Sequence, residues 1–193
     1  MSKAVFLDRD GVLNPLVYNP ITSEYESPHY PEDFSIYPNV VKALKKLDSL
    51  GYTLFVVSNQ PSYAKGKTTL ENIKAIGELL ADYLKENNVD IKEYYYCYHH
   101  PDGDVENYSK KCECRKPGTF FLEQAIKKYK LDPKECWFIG DRDTDITCGK
   151  AMGMHTILIK NEHSKEKTGK EKPSEYASNI YEAVIKIMGG NKG

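Results

Sequence analysis

Apolar residues fall in short blocks along the chain, and the blocks alternate between two periods. Ala4 to Leu7, Thr53 to Ser58, Cys136 to Gly140 and His155 to Ile159 are nearly continuous apolar runs, the pattern of strands buried on both faces. Glu93 to Tyr98, with tyrosines at 94, 95, 96 and 98, reads as one more strand of aromatic β-formers. Between these runs apolar residues recur every three or four positions. Val40, Val41, Leu44, Leu47 and Leu50 follow Pro38 and are closed by Gly51; Ile73, Ile76, Leu79, Leu80 and Leu84 mark a helix over about 68–86. Further helices are predicted over 119–129, 144–152 and 179–188. Strand and helix alternate throughout, which predicts an α/β, Rossmann-like parallel sheet with helices on both faces.

Three stretches follow neither period. Residues 12–37, with prolines at 15, 20, 28 and 31, read as a long ordered loop over the active edge of the sheet. Residues 99–117 are polar and irregular. Residues 160–175, rich in lysine and glutamate, read as a solvated, mobile loop, and Gly189 to Gly193 as a frayed tail. With no repeat and no low-complexity linker, all 193 residues (1–193) are expected to form a single domain.

Composition narrows the class without choosing a function. Charged residues make up 28% and hydrophobic ones 40%, with a net charge of −1, so neither nucleic acid nor an anionic membrane is expected as a partner. No apolar run approaches the roughly 18 residues of a membrane span, and Met1-Ser2-Lys3 leads straight into the first strand without a secretory leader. A cytoplasmic protein is expected, and the tyrosine-rich strand lacks the basic groove that a base-stacking surface would need.

The chemistry gathers where strands end. Leu7 gives way to Asp8-Arg9-Asp10-Gly11, so a buried strand delivers two carboxylates to its carboxyl end, where Gly11 lets the chain turn. Two such acids can hold Mg2+, one by its side chain and one by its backbone carbonyl. The cation frees one carboxylate as a nucleophile and the other as acid and base. Ser58 closes the second strand, Arg115-Lys116 precedes a helix, and Asp141 follows the strand ending in Gly140. The five cysteines are an odd number for a disulfide framework. Cys97-x-His99 and Cys112-x-Cys114 supply three thiolates and an imidazole, a closed tetrahedral set suited to a structural Zn2+. His99 is preferred to His100 because both ligand pairs then carry one intervening residue. Cys136 and Cys148 are expected to be buried small hydrophobes.

Asp8-Arg9-Asp10-Gly11, Ser58, Lys116 and Gly140-Asp141-Arg142-Asp143-Thr144-Asp145, in that order, resemble the four motifs of the haloacid dehalogenase superfamily of phosphohydrolases over about residues 3–160. The Cys97-Tyr98-His99-His100-Pro101 and Cys112-Glu113-Cys114-Arg115-Lys116-Pro117 segments are similar to its zinc-loop branch, with the zinc loop (97–114) placed before Lys116. That branch contains the heptose-1,7-bisphosphate 7-phosphatases and the histidinol-phosphatases. The resemblance implies that Asp8 attacks phosphorus and Asp10 serves as acid and then base. It implies that Asp8, the carbonyl of Asp10 and Asp141 bind Mg2+. Ser58 and the Asn59 amide would hold the phosphoryl oxygens, Lys116 would neutralise charge, and Asp145 would orient Lys116 or the metal waters. Asn59, Gln60, Lys116, Arg115, Arg142 and Tyr18 would bind substrate, with Arg115 taking a distal phosphate. No cap domain is inserted, so a capless monomer is expected. The long His-His-Pro-Asp-Gly loop puts a heptose 1,7-bisphosphate first, dephosphorylated at position 7. Histidinol phosphate, its amine meeting Glu24, Glu26 or Asp102, is the alternative, followed by another small sugar phosphate. A non-catalytic phosphate-binding module would be favoured only had Asp8 or Asp10 been replaced, and neither is.

Overall fold

The computed structural model describes residues 2–190. Its centre is a six-stranded parallel sheet of β1 (Ala4–Leu7), β4 (Thr53–Asn59), β5 (Glu93–Cys97), β6 (Trp137–Gly140), β7 (His155–Ile159) and β8 (Glu175–Ala177). The order across the sheet is β5-β4-β1-β6-β7-β8, so the strand carrying the aspartates lies in the interior between β4 and β6. Successive side chains on a strand point to opposite faces, and β1 shows the result. Val5 and Leu7 pack under helices α1 (Val40–Ser49), α2 (Leu70–Glu86) and α5 (Ile180–Gly190). Ala4 and Phe6 pack on the other face with Leu122, Ala125 and Cys148 of α3 (Phe120–Tyr129) and α4 (Asp143–Ala151). The α/β class and the helices on both faces are as the periodicity predicts. Cys136 and Cys148 are fully buried, as expected.

Several elements differ from expectation. The 12–37 stretch contains an antiparallel hairpin, β2 (Val17–Asn19) and β3 (Glu24–Glu26). Its strands are three residues long and bury none of them fully, so they carry no apolar period; the Tyr18 and Tyr25 rings pack at 5.4 Å, and Thr22 donates to Glu26 at 2.6 Å. The 160–175 stretch is not a free solvated loop. It contains a short 3-10 turn, Glu162–Lys167, and the Asp143 carboxylate accepts backbone N–H bonds from Gly169, Lys170 and Glu171. It ends in the edge strand β8, whose two exposed residues hide it from a pattern search. Leu79 lies on the outer side of α2, 44% exposed, so the apolar stripe there is narrower than expected. Gly189 and Gly190 belong to α5 rather than to a tail, and residues 191–193 lie outside the described residues. Among the described residues no helix is long and apolar enough to cross a membrane.

The aromatic middle of the second face fixes the height at which β1 delivers its aspartates. Phe6 stacks on Phe55 at 5.0 Å and on Phe138 at 6.4 Å, and none of the three is exposed. Phe6→Ala is expected to cost about 3–5 kcal/mol through lost transfer energy and an unfilled cavity, read as a lowered midpoint in urea denaturation.

Candidate active site

The carboxyl ends of β1, β4 and β6 converge on one small cavity. Asp8 and Asp10 enter it from β1, Ser58 and Asn59 from β4, Lys116 from the stretch before α3, and Arg142, Thr144 and Asp145 from the start of α4. The side chain at its centre is Lys116, 3% exposed. Its ammonium lies 2.9 Å from Asp8 Oδ1 and 2.6 Å from Asp145 Oδ1, and donates to the Val57 carbonyl at 2.8 Å. Three N–H bonds thus meet three oxygens from three segments. Burial disfavours the charge, but Asp145 and Asp8 outweigh it and hold Lys116 protonated well above the ordinary lysine range.

Asp8 is bound on one oxygen. Oδ1 accepts from the Ser58 hydroxyl at 2.6 Å and from the Arg9 amide at 2.7 Å, besides facing Lys116. Oδ2 takes none of these contacts. Asn59 spends both ends of its side-chain amide on the backbone of Lys116, each at 3.0 Å, so it fastens the Lys116 segment to β4.

One further acid is left without a hydrogen bond. Asp141 is fully buried, and neither of its carboxylate oxygens has a hydrogen-bond partner. Burial pushes its carboxyl up to about 7; Arg142 opposes this, while Asp8 and Asp145 add to it. Single carboxylate oxygens of Asp8, Asp141 and Asp145 lie within 4.8 Å of one another. Buried acids converging here, with both Asp141 oxygens free of hydrogen bonds, fit an all-oxygen site for a divalent cation. Asp145 is already committed to Lys116 and accepts from the Arg142 amide at 3.1 Å, which leaves Asp8 and Asp141 as the carboxylates available to it. Gly11, at φ +85°, keeps this room open: a Cβ there would stand 2.2 Å from Asp141 Oδ2. The Ser164 hydroxyl donates to the Asp141 carbonyl at 3.1 Å, so the supposedly mobile 160–175 stretch buttresses this residue.

Cys97, His99, Cys112 and Cys114 form a separate cluster. Their sulfurs stand 3.1–3.5 Å apart, and His99 Nδ1 lies 3.5 Å from Cys114 and 3.9 Å from Cys97. Four soft donors around one point fit a tetrahedral metal. His100 faces another way and accepts from the Asp102 amide at 3.1 Å.

The remaining predicted residues are spread more widely. Arg142 lines the cavity, 3.7 Å from Asp141. Arg115 donates to the His99 carbonyl at 3.3 Å; burial and then the nearby Arg142 hold its guanidinium below the ordinary arginine range. Tyr18, 51% exposed, belongs instead to a neighbouring pocket under the hairpin, because β2 stands away from the sheet. Gln60, expected to face substrate, is 1% exposed and turned inward onto Arg9 and Asp10, because a buried guanidinium beside it needs an acceptor. Arg9 itself is fully buried, and no periodicity signals an arginine that packs against the acid next to it. Burial pushes the Asp10 carboxyl up, yet Arg9, Asn14 and Gln60 together hold it below the ordinary carboxylate range. Ser27, just beyond the hairpin, also lines the cavity and carried no sequence signal.

Comparison with known proteins places these features among relatives. The HAD-hydrolase-like family profile matches residues 113–183. A D-glycero-alpha-D-manno-heptose-1,7-bisphosphate 7-phosphatase of Photorhabdus laumondii is 37% identical, the match covering 83% of this chain and 84% of the relative. A D-glycero-beta-D-manno-heptose-1,7-bisphosphate 7-phosphatase of Haemophilus influenzae is 38% identical over 77% of this chain and 76% of its own length. In fold, the chain is similar to the D,D-heptose 1.7-bisphosphate phosphatase of B. bronchiseptica, crystallised with magnesium and phosphate. The TM-score is 0.79 at 19% identity, covering 98% of this chain and 99% of the other.

The Asp141 charge sets a pH dependence. Its folded pKa of about 7 lies above the ordinary 3.8, so its contribution to stability is present in acid and lost as pH rises toward 7. A bound divalent cation offsets that loss. Added Mg2+ is therefore expected to raise the melting temperature more at about pH 8 than at about pH 5.5, and Asp141→Asn to remove the difference.

Proposed function

The chain belongs to the heptose-1,7-bisphosphate 7-phosphatase family of haloacid-dehalogenase-like hydrolases and is a phosphatase, and from that premise we propose how its own residues act and on what. The observation that carries the mechanism is Asp8, held on Oδ1 by Ser58, Arg9 and Lys116 and left with Oδ2 for attack. Oδ2 forms a bond to phosphorus as the ester P–O bond breaks, and Asp10, ionised in the resting site and protonated from water as substrate binds, gives that proton to the departing alcohol oxygen. Asp10 then takes a proton from water, whose oxygen bonds to phosphorus while the Asp8–phosphorus bond breaks, releasing inorganic phosphate. Lys116 and the Ser58 hydroxyl face the growing charge on the phosphoryl oxygens. Asp8, the Asp10 carbonyl and Asp141 would hold Mg2+, which when bound supplies charge neutralisation at the phosphoryl oxygens.

The substrate class follows from the charges around the cavity. Arg142 stands close enough to disfavour the charge on Arg115, an arrangement suited to an anionic partner such as a second phosphate. The relatives are named for a bisphosphate of this kind in either anomeric form. We therefore assign the 7-phosphate of a D-glycero-D-manno-heptose 1,7-bisphosphate as the group removed. A histidinol amine would want an unpaired carboxylate, and Glu26 is already bonded to Lys67 at 2.6 Å. The Cys97, His99, Cys112 and Cys114 cluster is assigned to a structural Zn2+ that organises the 97–114 loop.

Phosphate release from both heptose anomers, fructose 1,6-bisphosphate and histidinol phosphate tests the assignment. A heptose bisphosphate is expected to be hydrolysed with the highest kcat/KM, and Asp8→Asn to lose at least about 1000-fold. Preference for histidinol phosphate would overturn the substrate. Elemental analysis of protein purified without chelator is expected to find one zinc per chain, with Cys112→Ser lowering both the zinc content and the melting temperature.

A further inference from the structure

We propose that Arg9 and Gln60 form a buried clamp that positions the Asp10 carboxyl toward the leaving oxygen and ties it, through Ser58, to the nucleophile. The inference rests on the assignment of Asp8 and Asp10 given above and adds two positioning residues to it.

The Gln60 amide joins the two catalytic acids. Its Nε2 donates to Asp10 Oδ2 at 2.6 Å and to Ser58 Oγ at 3.1 Å, and Ser58 in turn donates to Asp8 Oδ1 at 2.6 Å. Its Oε1 accepts from Arg9 Nη2 at 2.7 Å. The partners fix which way the amide points. Turned over, it would set its oxygen against the Asp10 carboxylate and its N–H bonds against a guanidinium. Arg9 closes the circuit, with Nε 3.1 Å and Nη2 2.9 Å from Asp10 Oδ1, and Asn14 donates to the same oxygen at 2.9 Å.

Neither Arg9 nor Gln60 lines the cavity, and their exposures are 0% and 1%. Burying an arginine beside an acid that must move a proton is expensive, and here Arg9 bonds through Nε and Nη2 while its buried Nη1 has no partner. An apolar pair would fill the space without that demand, so packing alone does not account for these residue types. What the polar pair adds is a fixed orientation for Asp10. The Gln60 amide is also held from behind, its backbone N–H donating to the Cys97 carbonyl at 2.7 Å, so the first ligand of the zinc cluster sets the register of the clamp.

A misaimed acid shows itself in which esters the enzyme can still cleave. An alcohol leaving oxygen needs the Asp10 proton as the P–O bond breaks; nitrophenolate leaves without it. Holoenzyme carrying Gln60→Asn, whose shorter amide cannot reach, and Arg9→Lys, which keeps the charge and loses the fork, would be assayed in saturating Mg2+. The substrates are heptose 1,7-bisphosphate and p-nitrophenyl phosphate, with Asp10→Asn as reference and circular dichroism confirming the fold. Each clamp variant is expected to lose about 100-fold in kcat on the sugar phosphate. On the aryl ester each should lose less than about fivefold, with KM little changed on either. Equal losses on both esters, or no loss on the sugar phosphate while Asp10→Asn remains selective, would overturn the clamp. An Asp10→Asn enzyme with no selectivity between the esters would overturn the acid assignment on which it rests.

Discussion

One ammonium group holds the three parts of this site in register. Lys116 draws the end of β1 through Asp8, the start of α4 through Asp145 and the backbone of β4 through Val57 onto a single nitrogen. Such a charge survives burial only because each proton finds an oxygen. Any displacement of a strand end therefore leaves a buried charge unmatched. The sheet supplies the coarse alignment through its aromatic middle, and Lys116 supplies the fine one. Asn59 adds a backbone clasp to the same segment.

Around that nitrogen the site separates its acids by environment. Asp10 is surrounded by donors and held ionised, whereas Asp141 is buried with none and pushed toward neutrality. Neighbouring carboxylates so treated differ in the form the site favours, one ionised and hydrogen-bonded, the other short of donors. The Cys97–Cys114 loop lies outside this division yet reaches it through the Cys97 carbonyl and through Arg115 on the His99 carbonyl.

How much of this was legible in the chain depended on the kind of signal. The four buried strands and five helices announce themselves by period, because each buries an apolar face, and Asp8, Ser58 and Asp141 stand out as polar residues that end or follow those runs. The four metal-type ligands were legible by spacing. The hairpin 17–26 and strand β8 were not, since three-residue strands with exposed polar positions bury too little to leave a pattern. The inward turn of Gln60 was invisible for another reason: its partners Arg9 and Asp10 lie about fifty residues away and meet it only once β1 and β4 pair. Tyr18 shows the converse, a residue placed near the site in sequence that the hairpin carries away from the cavity.

Two glycines complete the site by what they lack. A Cβ on Gly140 would come within 2.2 Å of the Asp145 Cβ, as one on Gly11 would of Asp141. Neither residue bonds a ligand or moves a proton, yet each keeps clear the volume that an essential carboxylate occupies. In a collection of inactive alleles these two codons would stand beside the aspartates themselves, and a screen that scored only chemical groups would have no reason to find them there.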